Sequence, residues 1–203
     1  MPWRLEFLAG KQLMRKHCES LTTADREHVA ELLAGLLGDL HKTPLGDVEA
    51  FNVPHASKPS LDKATLDSLS SLFGSTVVKA LGTFTEEYNT KFDIEEPPVF
   101  LHGELNEHHI LWNAVNHRLN TIDLSSCNIG DPASDFSELW NYGESFLERV
   151  YQLYDGPKYP KLLRRAALFY KARPIYALKY ALQEDKWRAQ SMKLFKRRWA
   201  ELA

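Results

Sequence analysis

Two adjacent prolines, Pro97 and Pro98, divide the hydrophobic rhythm of this chain. Each lacks a backbone N–H and has a fixed φ, so neither continues a helix, and each pushes its predecessor towards extended backbone. The segment FDIEEPPVF therefore predicts a break, with extended backbone on its carboxy-terminal side. Val99 to Leu101 reads as a short strand, His109 to Trp112 as a second and Leu119 to Leu124 as a third. The turn AVNHR joins the last two as a hairpin.

On both sides of this insert the period is helical. TTADREHVAELLAGLLGDLHKTP carries Val29, Leu32, Leu33, Leu36, Leu37 and Leu40 as one apolar stripe. Threonine caps its start, Asp25 and Glu27 suit the positive end of the helix dipole, and Pro44 stops it. A shorter helix is expected from Lys11 to Glu19, and two more from Leu61 to Phe73 and from Thr76 to Tyr88. After Pro132, Phe136, Leu139, Trp140, Tyr142, Phe146, Val150 and Leu153 share a broad apolar face. Further helices are expected from Lys161 to Lys171, Ile175 to Gln183 and Asp185 to Leu202. The fold class is thus mainly α with a small β-hairpin insert, an α+β arrangement.

With 203 residues, 44% of them hydrophobic, the chain can bury one sizeable core. A formal net charge of -2 requires neither nucleic acid nor a membrane surface as partner. About half of the Lys and Arg fall from Lys158 onward, which reads as the solvated face of amphipathic helices or as a steering surface. Cys18 and Cys127 match no metal or redox spacing, and MPWRLEFLAG is too charged and short for a secretory leader. No apolar run approaches the length of a membrane span, so the expected location is the cytoplasm.

The insert holds most of the polar chemistry. VFLHGELNEHHIL places Glu104 after a glycine, just past a buried strand, and His109 at the start of the next. Asp123 closes the third strand, so a hairpin brings His109 and Asp123 to one end. An imidazole and a carboxylate converging there suit a divalent cation, with Glu104 nearby as a base. Spacing alone leaves open a solvated turn. It also leaves open a zinc hydrolase built on His102, His108 and His109, although neither HExxH nor CxxC is present.

A second motif, IDLSSCNIGDPASDF, lies further along the chain. Together the two resemble the catalytic core of the aminoglycoside/macrolide phosphotransferase family, which has a protein-kinase-like fold. The matching residues are His102-Gly103-Glu104, His109, Ile122-Asp123, Gly130-Asp131-Pro132 and Asp135, with Leu40-His41 near the end of an earlier helix. The resemblance implies a single domain over 1–203, equivalent to the carboxy-terminal lobe of that fold. Residues 1–20 form its hinge and first helix, 99–136 its catalytic loop and metal-binding segment, and 137–203 its carboxy-terminal helices.

It further implies phosphoryl transfer from ATP or GTP, with Mg2+ or Mn2+, to a hydroxyl of a small molecule such as an antibiotic or aminoalcohol. Glu104 stands where the family has the aspartate that accepts the substrate proton. His109 and Asp123 stand at the metal-binding positions, while His102, Asp131 and Asp135 are structural supports. Glu95, Glu96, Glu104, Glu107, Asp135 and Glu138 are candidates to attract a cationic substrate. The amino-terminal lobe, its phosphate loop and its strand lysine have no counterpart here: Lys11, Arg15 and Lys16 are expected on a helix. No nucleotide-binding residue is therefore assigned. An N-lobe-bearing chain or a second copy is the partner this implies. A degenerate, pseudokinase-like interaction module is the alternative function.

Overall fold

The computed structural model describes residues 8–56, 61–91, 96–181 and 185–200. Five short strands and nine helices are described. The strands are β1 (Lys11–Gln12), β2 (Val99–Leu101), β3 (Ile110–Asn113), β4 (Arg118–Thr121) and β5 (Asn128–Gly130). The helices before the insert are α1 (Arg15–Ser20), α2 (Thr23–Lys42), α3 (Leu45–Glu49), α4 (Lys63–Leu69) and α5 (Ser75–Lys91). After it come α6 (Ala133–Leu139), a 3-10 turn (Trp140–Tyr142), α7 (Glu144–Leu153), α8 (Leu162–Ala181) and α9 (Asp185–Arg198).

The predicted stripe of α2 is the spine of the molecule. Thr22 caps it by accepting from the Asp25 N–H at 3.0 Å. Val29, Leu33 and Leu37 are fully buried against α6 and α7 and against Trp112 of the hairpin. A second core joins α4, α5, α8 and α9 through Leu69, Leu81, Tyr88, Ile175, Leu178 and Phe195. Helix α8 borders both cores, with Ala166 in the first and Ile175 in the second.

The sheet differs from expectation at its edges. Residues Lys11 and Gln12 form a strand rather than the start of a helix, because they pair with Trp112 and Leu111 of β3. The order is β1-β3-β4, all antiparallel. The expected third strand stops at Thr121, and Asp123 turns out of the ladder with φ 65°. That left-handed conformation ends a strand and is tolerated best by Asp, Asn and Gly. Strand β5 has no clear alternating pattern in sequence, yet it pairs with β2 in register Val99↔Gly130 to Leu101↔Asn128.

The helices also depart from expectation. The stretch expected from Leu61 to Phe73 is helical only over Lys63–Leu69, since Asp62 caps it by accepting from Thr65 N–H. The expected pair of helices around 161–183 is one helix, α8, with Pro174 inside it. Pro174 has no N–H to offer the Tyr170 carbonyl one turn earlier. Arg198 of α9 supplies that donor instead, at 2.9 Å, and the Trp199 indole N–H donates to the Lys171 carbonyl at 2.9 Å. A tertiary contact thus satisfies what the proline leaves open, and the helix continues through it.

Candidate active site

The loop from His102 to His109 lies between β2 and β3 and is held by its backbone. The Asp135 carboxylate, fully buried at the start of α6, accepts from the N–H groups of His102 and Gly103, both at 2.9 Å. Buried His41 at the end of α2 reaches the same carboxylate at 3.3 Å through Nε2, and Tyr154 Oη at 2.8 Å through Nδ1. Gly103 has φ 82°, and a Cβ there would lie 2.0 Å from the Ser126 carbonyl oxygen. No side chain fits. Gly103→Ala is expected to destabilise the protein by at least about 2 kcal/mol, from a left-handed backbone and a clash with main chain that cannot move aside. A chemical-denaturation midpoint equal to wild type counts against this.

Glu104 projects from this fixed glycine and is half-buried. Its Oε2 accepts from Ser126 Oγ at 3.1 Å and its Oε1 from Asn106 Nδ2 at 3.3 Å. Each oxygen keeps a further lone pair for an incoming donor. Across the loop, His109 Nδ1 lies 2.8 Å from the Glu104 carbonyl oxygen, which fixes Nδ1 as the protonated nitrogen. In the neutral ring Nε2 then presents its lone pair towards Asp123, whose Oδ2 is 3.7 Å away. Two metal–ligand arms of about 2 Å each span that gap, so the pair fits a shared cation. Ser125 donates to Asp123 Oδ1 from both Oγ (2.6 Å) and N–H (3.2 Å), which lowers the Asp123 pKa and keeps it anionic.

The other sequence candidates make contacts within the fold. His102 is fully buried and stacks on His109 with ring centroids 6.4 Å apart; burial lowers its pKa. Asp131 accepts from Ala133 N–H and forms a two-pronged pair with buried Arg165, at 2.7 and 3.1 Å. His108 is exposed, and among the described residues no three His, Cys, Asp or Glu side chains converge to hold a metal.

The expected acidic funnel is largely neutralised. Arg165 also binds Glu96, and Glu107 accepts from Arg15 N–H and from Arg197. Glu138 is buried between Arg173 and Arg198. Burial raises its pKa, but the two guanidinium groups outweigh this and hold it at about 2. Glu95 lies outside the described residues. Three of the carboxy-terminal arginines, Arg165, Arg173 and Arg198, thus face inward onto acids. Ser126, Asn106 and Arg173 are site neighbours that sequence reasoning missed; only the polar run LSSC offered any signal for one of them.

Helices packed round so small an insert, with an acidic loop facing a His–Asp pair across it, define the kinase-like α+β class. Residues 3–169 match the model of the phosphotransferase enzyme family (APH), and the chain belongs to that family. No curated protein matches the sequence. Among solved structures it is similar to the GDP complex of wild-type aminoglycoside 2'-phosphotransferase-IIIa, with TM-score 0.81 and 20% identity over 95% of this chain and 68% of that one. The GDP and kanamycin complex of APH(2")-IIia gives 0.79 and 21%, over 95% and 69%. Macrolide 2'-phosphotransferase MphH from Brachybacterium faecium gives 0.62 and 18%, over 93% and 67%. The chain spans about two thirds of the length of these proteins.

Proposed function

We propose that this chain is the catalytic and substrate lobe of a small-molecule kinase that moves the γ-phosphoryl group of ATP or GTP to a substrate hydroxyl. One observation carries the reading: His109 Nε2 and Asp123 Oδ2 face each other at 3.7 Å, with the His109 ring oriented by the backbone carbonyl of Glu104. His109 and Asp123 would hold Mg2+ or Mn2+, with nucleotide phosphates and water completing its shell, as two protein ligands suit. The metal supplies charge neutralisation on the phosphates. Glu104 orients the substrate hydroxyl and accepts its proton at Oε1 or Oε2. Ser126 and Asn106 hold that carboxylate at the reach of a glutamate side chain, and Asp135 fixes the backbone from which it projects. An antibiotic or aminoalcohol-like molecule is the substrate class we infer. The similar structures support this, since one of them is a kanamycin complex and another a macrolide phosphotransferase.

A phosphate-covering element with its lysine, contributed by a longer form or another chain, would complete the nucleotide site; a second copy is the other partner we infer, as a cover for apolar surface. Leu8 and Leu124, 40% and 53% exposed, are the apolar positions such a partner would cover. Light scattering tests the second-copy form: a monomer at high concentration counts against it. We expect the protein in the cytoplasm. Cell fractionation tests this, and Cys18 and Cys127, which form no disulfide, are consistent with it. Among the described residues no helix is long and apolar enough to cross a membrane.

Phosphotransfer is tested by titrating the purified chain with Mg2+ or Mn2+ and ATP or GTP, then assaying hydroxylated antibiotics and aminoalcohols for phosphate ester. Asp123→Ala is expected to abolish metal-dependent nucleotide binding, and unchanged binding refutes its role. One observation favours a non-catalytic module: both Glu104 oxygens already accept hydrogen bonds, from Asn106 of the same loop and from Ser126. Nucleotide binding without any phosphate ester, in the longest form encoded, would decide for that module.

A further inference from the structure

The family match ends at residue 169, yet two arginines beyond it, Arg173 and Arg197, reach back to the loop that carries Glu104, and a third, Arg198, joins Arg173 through Glu138. Arg173 Nη2 donates to the Gly103 carbonyl at 2.9 Å while its Nη1 donates to Glu138 Oε1 at 2.6 Å. Glu138 Oε2 accepts from Arg198 at 2.9 Å and from Asn141 at 3.1 Å. Arg197 next door bonds both Asn141 and Glu107, the latter inside the same loop. Gly103 is thereby gripped on both faces of its peptide units: Asp135 takes its N–H and Arg173 its carbonyl.

The attachment of α9 to this system is specific. Pro174, beside Arg173, leaves the Tyr170 carbonyl without a helical donor, and Arg198 fills that place while its guanidinium stacks over the Tyr170 ring at 4.1 Å. One residue of α9 thus reads the proline break and the buried Glu138 together. We propose that Arg173, held through Glu138 by α9, is a positioning residue that fixes the Gly103 peptide and so the direction of the Glu104 side chain. Docking of α9 is then a condition for an ordered catalytic loop. This rests on Glu104 being the proton acceptor.

The test is residue-resolved amide hydrogen exchange on Arg173→Met and Arg173→Lys, with turnover measured in the phosphotransfer assay. Arg173→Met is expected to raise exchange across 102–109 by on the order of tenfold or more, the size expected for loss of one charge-assisted hydrogen bond, while Ile110–Asn113 stays at the wild-type rate. Turnover should fall with KM little changed. Lysine keeps the charge beside Glu138 but lacks the planar fork, so its melting temperature recovers while loop exchange stays raised. Loop exchange at the wild-type rate in both variants overturns the proposal. So does a rise shared equally by Ile110–Asn113, which would mean general loosening. If Arg173→Met fails to fold, Arg173→Lys gives the same readout. Raised loop exchange with unchanged turnover leaves the clamp standing and refutes Glu104 as base, so the two failures are distinguishable.

Discussion

Glu104→Gln is expected to lower turnover for phosphoryl transfer by on the order of 100- to 10,000-fold, the usual range for losing a positioned general base. The amide is the same size but takes no proton from a substrate hydroxyl. Ser126 and Asn106 can reorient to an amide, so the melting temperature should move by no more than about 2 °C. Glu104→Asp is the informative companion. The family pattern has Asp here, but in this chain Ser126 Oγ lies 3.1 Å from the carboxylate at the end of the longer side chain. Shortening it withdraws the carboxylate by about an ångström, which is enough to cost on the order of 100-fold in rate. Turnover unchanged in Glu104→Gln removes Glu104 from the mechanism and leaves it as a loop-bracing residue.

The largest expected effect on stability belongs to Glu138→Ala. Removing one member of a buried ion system leaves the others charged without compensation, at a cost of about 3 to 5 kcal/mol. Here Arg198 and Glu138 are each 3% exposed, and Arg173 loses the same partner. For a chain of this size that loss corresponds to a melting temperature lower by roughly 10 °C. A drop below about 3 °C would show that water or a rearranged side chain replaces the carboxylate at little cost. The pH dependence has a definite sign. The folded pKa of about 2 lies below the ordinary glutamate value of 4.5, so the contribution is present above 4.5. It is lost as pH falls from there towards about 2. Glu138→Gln should therefore flatten the acid limb of the stability curve between those limits. An acid limb identical to wild type would refute the depressed pKa.

Much of the candidate site's layout was legible because its motif is local. His102, Gly103, Glu104 and His109 lie within eight positions, and a glycine at φ 82° followed by an acid is a backbone requirement that the loop itself imposes. The approach of Asp123 to His109 followed from hairpin pairing, with Ile110 opposite Thr121. It did not follow from the strand extending to Leu124, since Asp123 already lies outside the ladder. The roles of the acids were not legible. Glu104 and Glu138 are both glutamates near an apolar segment, yet one is half-buried beside Asn106 and Ser126 and the other is buried between two guanidinium groups.

By itself the sequence determined the elements whose causes lie within a few residues. These are the α2 stripe with its Thr22 cap, the extended segment after Pro97-Pro98 and the polar loop beyond it. Side-chain period, capping and proline geometry act over one or two helical turns, so neighbours suffice to fix them. Only the tertiary structure decided whether a helix survives Pro174, whether Lys11 and Gln12 extend as a strand, and which acids are ion-paired. Arg198 reaches Glu138 across 60 positions and Arg173 reaches Gly103 across 70. A hydrogen bond or ion pair is local in space and indifferent to separation along the chain. The surroundings of Gly103 and Glu138 were therefore set by partners that no local pattern could reveal.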